Sequence, residues 1–145
     1  MKISTKGRYA LRVMIDLAQH NTGEYITLKS ISERQEISVK YLEMIIAILN
    51  KAGFVFSSRG KGGGYKLSRV RKDYTVGCIL KLTEGNLAPV ECLCSKENLC
   101  SRAQYCITLP LWQKLDQVID TFLESVTIED LINRQKNLIG NDYQI

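Results

Sequence analysis

Around Gly53 the chain changes its period, and that change limits what it can fold into. Up to Leu49 the apolar residues recur every three or four positions. From Phe54 that spacing stops, and a run of Arg59-Gly60-Lys61-Gly62-Gly63-Gly64 separates Phe54-Val55-Phe56-Ser57-Ser58 from Tyr65-Lys66-Leu67. Spacing of three and four selects helices, whereas short aromatic and β-branched runs about a glycine cluster select a hairpin. The two runs are read as strands of a hairpin with a basic, glycine-rich tip.

What precedes the hairpin sharpens the expectation. Tyr9, Ala10, Val13, Met14, Leu17 and Ala18 mark an amphipathic helix over roughly residues 5–20, with Thr5 as its cap. Thr27 can cap a short helix that buries Leu28 and Ile31. After a break at Glu36-Ile37-Ser38, Ser38 can cap a third helix carrying Val39, Leu42, Ile45, Ile46 and Leu49, and Gly53 stands where a left-handed terminal residue is expected. Two helices joined by a tight turn and followed by a hairpin make a winged helix-turn-helix. The glycine run lacks both the Walker pattern and the strand, turn and helix order of a dinucleotide-binding loop.

Downstream, Val76, Ile79, Leu80 and Leu82 place a short helix over Tyr74 to Leu82, with Cys78 inside it as a small core residue without a further role. Leu111, Trp112, Leu115, Val118, Ile119, Phe122, Leu123 and Val126 then keep helical spacing for more than four turns. So long a stripe suits pairing across a two-fold axis, the alternative being a helix packed on its own domain. Thr127-Ile128-Glu129-Asp130 can cap a last helix carrying Leu131 and Ile132, and the stretch from Lys136 to Ile145 is weakly periodic and expected to fray. The expected fold is mainly α with a small β-hairpin wing: a winged helix-turn-helix plus a long C-terminal dimerisation helix. The expected regions are 1–82 for DNA binding with its connecting helix, 83–108 for a cysteine-rich loop, and 109–145 for dimerisation and the last helix.

Charge points to the partner. The net charge of +5 conceals a split, with 14 Lys and Arg against 5 Asp and Glu in residues 1–72 but 6 against 10 in residues 73–145. Such a split directs a polyanion to the N-terminal half. No run approaches the roughly 18 apolar residues of a membrane span, and the N-terminus lacks the apolar run of a signal peptide, so a cytoplasmic protein with no membrane partner is expected. An enzyme, such as a metal- or thiol-dependent oxidoreductase, is disfavoured because one histidine, no Ser/His/Asp set and no cofactor-binding fold leave little for catalysis.

In a helix-turn-helix the second helix enters the major groove with its N-terminal residues at base edges. Here those are Ser38, Lys40, Tyr41 and Glu43. Glu43 can accept a hydrogen bond from a cytosine amino group, or can be an ordinary exposed carboxylate. Lys6, Arg8, Arg12, Arg59 and Lys61 suit phosphate or minor-groove contacts with double-stranded DNA.

Four of the five cysteines fall between Cys92 and Cys106. Cys94, Cys100 and Cys106 are each separated by five residues, with Cys92 just ahead. In a reducing compartment such a cluster suggests metal or redox chemistry rather than disulfides. Soft sulfur ligands favour an iron–sulfur cluster, zinc or copper(I), and the paired short spacings of a zinc ribbon are absent, so a cluster is preferred to zinc. A thiol switch, or a zinc-stabilised regulator of cysteine or sulfur metabolism, is the rival reading.

These residues also carry a resemblance. Met1-Lys2-Ile3-Ser4-Thr5-Lys6-Gly7-Arg8-Tyr9-Ala10, Tyr41-Leu42-Glu43, Arg59-Gly60-Lys61-Gly62-Gly63-Gly64-Tyr65, the three evenly spaced cysteines and Leu111-Trp112 resemble the IscR-like iron–sulfur cluster regulators of the Rrf-two superfamily of winged-helix transcription factors. The resemblance runs nearly end to end. It implies a homodimer on palindromic promoter DNA that controls cluster assembly or related genes. It further implies one two-iron, two-sulfur (2Fe-2S) cluster per subunit held by Cys94, Cys100 and Cys106, and a Glu43 that discriminates operator classes by cluster occupancy. The family pattern has a histidine ligand where this chain has Leu109, so the fourth ligand is open: Cys92 is the nearest candidate, and a carboxylate, water or another thiol are the alternatives.

Overall fold

Helices in the N-terminal half start on hydroxyl groups, which satisfy backbone N–H groups that have no partner inside the helix. The computed structural model describes residues 1–142. In chain order these form α1 (Thr5–Gln19), α2 (Leu28–Gln35), α3 (Val39–Lys51), β1 (Val55–Ser58), β2 (Gly64–Leu67), α4 (Val76–Glu84), α5 (Leu109–Ser125) and α6 (Ile128–Asp142). Thr27 Oγ1 accepts from Ser30 N and Ser38 Oγ from Tyr41 N, each at 3.2 Å, as expected from their positions. The first helix departs from expectation. Ser4, with extended backbone, accepts from Gly7 N at 3.2 Å and is the cap, while Thr5 already has its place in the helix.

The helix-turn-helix and its wing follow the expected order. Glu36 takes the left-handed conformation at the end of α2 (φ 55°), and Gly53 does so after α3 (φ 74°). β1 and β2 pair antiparallel from Val55 opposite Leu67 to Ser58 opposite Gly64. Ile26 and Tyr65 exchange two backbone hydrogen bonds of 2.8 Å, so the segment before α2 joins the wing as a third, single-residue rung. Gly64 lies at φ 143°, and a Cβ there would overlap the Ile26 carbonyl oxygen, so this rung requires glycine.

The main core gathers Ala10, Val13, Met14 and Leu17 of α1, Ile31 of α2, Leu42, Ile45, Ile46 and Leu49 of α3, and Val55 and Leu67 of the wing. Burying each of the larger aliphatic side chains is worth about 1.5–3 kcal/mol. Ile128 and Ile132 of α6 complete this core from the far end of the sequence. The structure corrects the expected helix at Tyr74: Tyr74 and Thr75 are extended, and the helix starts at Val76 on a Thr75 cap. Tyr74 is drawn out of the helix because its ring is fully buried while its hydroxyl donates to Phe54 O at 2.7 Å and accepts from Arg69 N at 3.0 Å. Cys78 is half-buried against the core, in line with a packing role.

α5 begins at Leu109, with Pro110 in its first turn, where the missing N–H costs nothing. Thr127 and Asp130 then form a reciprocal cap for α6: Thr127 N donates to Asp130 Oδ2 at 2.9 Å and Asp130 N to Thr127 Oγ1 at 3.0 Å. Residues 136–142 of the stretch expected to fray are helical, within α6; residues 143–145 lie outside the described part. No helix among the described residues is long and apolar enough to cross a membrane.

Candidate nucleic-acid interface and cysteine loop

The apolar positions of α3 turn Leu42, Ile45, Ile46 and Leu49 inward, which leaves Lys40, Glu43, Met44 and Ala47 as an exposed stripe on its opposite side. Of the expected base-reading residues, Lys40 and Glu43 lie in this stripe, and Ser38 sits at the helix start with its hydroxyl engaged as the cap. Tyr41 lies elsewhere. It is half-buried, edge-on to Tyr9 with centroids 5.5 Å apart, so its ring ties α3 to α1. Met44 was missed by sequence reasoning, because an apolar residue at helical spacing reads as core until its side is known.

The cations divide in the same way. Arg59 and Lys61 are exposed at the wing tip, and Arg8 is exposed on the first turn of α1, where its Nη2 donates to Thr5 Oγ1 at 3.1 Å. Lys6 is half-buried on the same turn. Arg12 is committed internally: Nε donates to Gln35 Oε1 at 3.2 Å, Nη2 to the Gln35 carbonyl, and the guanidinium lies 5.0 Å from the Tyr9 ring centroid. Beside it, the fully buried Asp16 accepts from Arg34 Nε at 3.0 Å, Arg34 Nη2 at 2.7 Å and Gln35 Nε2 at 2.9 Å. The hydrogen bonds to Asp16 raise the Arg34 pKa above its ordinary value. This clamp sets α2 against α1 and so fixes the angle at which α3 is presented. Sequence spacing carries no signal for it.

The cysteine loop leaves α4 at Gly85 and reaches α5 through two single 3-10 turns, Glu91–Leu93 and Ala103–Tyr105. Cys92, Cys94 and Cys100 line one concavity of about 550 Å³, together with Glu91, Ser95 and Leu99. Cys100 and Cys106 line a second, of about 380 Å³, so Cys100 is common to both. Among the described residues, no three Cys, His, Asp or Glu side chains converge as a metal site. Four thiols on one solvent-facing loop nonetheless form a soft donor set that fits an iron–sulfur group. The Thr108 hydroxyl, 3.4 Å from the Cys106 sulfur, lowers that thiol's pKa from its ordinary value. Leu109 is half-buried with an apolar side chain, and His20 hydrogen-bonds the Asp16 carbonyl at 2.8 Å on α1.

Behind the loop, α5 packs one side on α4 through Leu123, and through Glu124, which accepts from Thr75 Oγ1 at 2.7 Å and Lys81 Nζ at 2.9 Å. Lys81 also pairs with Asp120. A Cβ on Gly77 would overlap the Glu124 carboxylate, so glycine permits this close approach. The other side of α5 leaves Leu111, Leu115, Val118 and Phe122 exposed, Phe122 at 60%.

Comparison with known proteins places this geometry. Residues 3–134 match the family model Rrf2, described as an iron-dependent transcriptional regulator. The HTH-type transcriptional regulator IscR of Erwinia tasmaniensis is 38% identical over 144 residues, 99% of this chain and 86% of that protein. Among solved structures, T. potens IscR is similar with a TM-score of 0.74 and 39% identity, covering 93% of this chain and 88% of the other. CymR, the global cysteine regulator of B. subtilis, gives 0.75 and 36% identity, covering 92% and 98%.

Proposed function

The chain belongs to the Rrf2 family of transcriptional regulators, and from that premise we propose that it binds palindromic operator DNA as a homodimer and reports the state of a 2Fe-2S cluster on its cysteine loop. Its relatives are regulators and not enzymes, which removes the oxidoreductase reading. The winged helix-turn-helix and DNA-binding regulator are the common ground with them.

The observation that carries the reading is the shared loop: four thiols stand on one segment that joins the connecting helix α4 to the long helix α5. Cys94, Cys100 and Cys106 would hold the cluster, and Cys92, which faces the same concavity as Cys94 and Cys100, would supply the fourth thiolate. When bound, such a cluster would supply a redox- and iron-sensitive centre on the loop. Lys40 and Glu43 would face base edges, Ser38 would set the start of the reading helix, and Tyr41 and Arg12 would position that helix from behind. Lys6, Arg8, Arg59 and Lys61 would meet phosphates. The exposed row Leu111, Leu115, Val118 and Phe122 would pair with its copy and set the spacing of the two reading helices. We propose correspondingly that 1–82 is the DNA-binding region, 83–108 the cluster loop and 109–145 the region that carries the dimer contact.

The test is protein purified without oxygen, assayed for iron, sulfide and visible absorption, with a duplex enriched by the wild-type protein from a randomised pool as probe. A brown protein whose affinity for that duplex differs between loaded and apo forms is the expected result. Cys92→Ser should shift the spectrum and make the cluster more labile, and an unchanged Mössbauer spectrum would remove Cys92 from the ligand set. The likeness to CymR favours a second reading, a thiol switch acting through the same cysteines. Colourless, zinc-free protein whose DNA affinity responds to peroxide would select it.

A further inference from the structure

We infer that Glu84 is a positioning residue that holds the DNA-facing end of α1 and ties it to the base of the cysteine loop. Glu84 is the last residue of α4, one position before the loop begins at Gly85. Its Oε1 accepts from Ser4 Oγ at 2.6 Å and from Ser4 N at 3.2 Å, while Ser4 Oγ in turn caps α1 through Gly7 N. Gly7 is buried directly beneath this carboxylate, where a Cβ would overlap Oε1.

The charge pattern explains why a carboxylate is needed there. The N-terminus of a helix carries partial positive charge, which an acidic residue in the first turn ordinarily offsets. α1 has none in its first turn, and Lys6 and Arg8 add to the positive charge. Glu84 supplies the counter-charge from another helix. It thereby fixes the turn whose two cations are directed at phosphate.

On its other side the same helix end meets the loop. Gly85 closes α4 in a positive-φ conformation (82°), and Asn86 Nδ2 then donates to the Cys94 carbonyl at 3.4 Å while Asn86 Oδ1 accepts from Ala88 N at 2.8 Å. The segment bearing Cys94 is therefore anchored two residues from the carboxylate that caps α1. Rearrangement of the loop about a ligand would reach the phosphate-binding turn through one helix end. This inference rests on the reading of the protein as a cluster-responsive DNA-binding regulator, and it adds the element that carries the response.

Full-length wild type, Glu84→Ala and Glu84→Gln should be compared by anisotropy on the wild-type-selected duplex, at several salt concentrations, in apo and cluster-loaded forms, with thermal unfolding alongside. Gln keeps the acceptor for both Ser4 hydrogen bonds but removes the counter-charge, so its salt slope and loaded-to-apo ratio should fall between those of wild type and Glu84→Ala. In Glu84→Ala the slope of log affinity against log salt should fall by about 1 to 2, because each lost phosphate contact removes roughly 0.9, and the loaded-to-apo affinity ratio should fall toward one. A Glu84→Ala protein with wild-type slope and ratio would overturn the inference, even with a lowered Tm, since a merely structural carboxylate changes stability alone. Wild-type protein that binds the duplex equally in both forms would overturn the sensing reading itself, and the linkage drawn from Glu84 with it.

Discussion

Glu43 and Arg59 are both exposed and charged, yet the proposed function gives them different work. Glu43 lies in the outward stripe of α3, so Glu43→Ala should relax sequence preference, with the affinity gap between selected and scrambled duplexes narrowing by about 1–3 kcal/mol. Arg59 stands on the wing tip, and Arg59→Ala should weaken all duplexes alike and flatten the salt slope by about 0.9; anisotropy on both duplexes across a salt series separates the two. Tyr74 poses a stability question. Removing its hydroxyl leaves the Arg69 N–H without that acceptor, while the Phe54 carbonyl keeps its bond from Ser68 N, so Tyr74→Phe should cost about 1–3 kcal/mol in chemical denaturation.

Among elements, the α4–α5 joint responds to pH. Hydrogen bonds from Lys81, and secondarily from Thr75, hold the Glu124 carboxyl below its ordinary range. The unfolded chain, with an ordinary glutamate near 4.3, binds more protons than the folded one just below that pH. The contribution of Glu124 is therefore present above about pH 4.3 and is lost as pH falls through its lower folded value. Lys81 and Glu124 are both more than a third exposed, so the effect is modest and screened by salt. Glu124→Gln should flatten the acid limb of stability measured by urea denaturation from pH 6 to 3. The wing offers a sterically decided case: Gly64→Ala places a methyl against the Ile26 carbonyl at a φ that glycine tolerates, and should cost more than about 1 kcal/mol and separate the wing from the segment before α2.

For the whole molecule the outstanding surface is the exposed side of α5. A row of Leu111, Leu115, Val118 and Phe122 spans three turns without cover, in a helix that buries no residue within one chain. Leu115→Glu combined with Phe122→Glu should give a monomer in sedimentation at micromolar concentration. Its affinity for a palindromic duplex should fall steeply, while a half-site is bound as by the wild-type monomer. Dimer retention in that variant would assign the pairing to another surface.

Much of this protein is legible in its local chemistry. Thr27 and Ser38 as caps, the left-handed Gly53, the glycine-tipped wing and the apolar run of α5 depend on neighbours within a few residues, and each stands where its own stretch placed it. What required the tertiary structure depends on partners far along the chain. Tyr74 left the helix for a hydroxyl pocket built by Phe54 and Arg69, Arg12 and Tyr41 turned inward to Gln35 and Tyr9, and Ser4 rather than Thr5 became the cap under Glu84, 80 residues away. Charge and spacing determine what a segment can do, but which side of a helix is left to solvent is decided by what packs against it. The basic N-terminal half therefore named the partner, while only the packing of α1, α3 and α4 separated the side chains that can face DNA from those that position them.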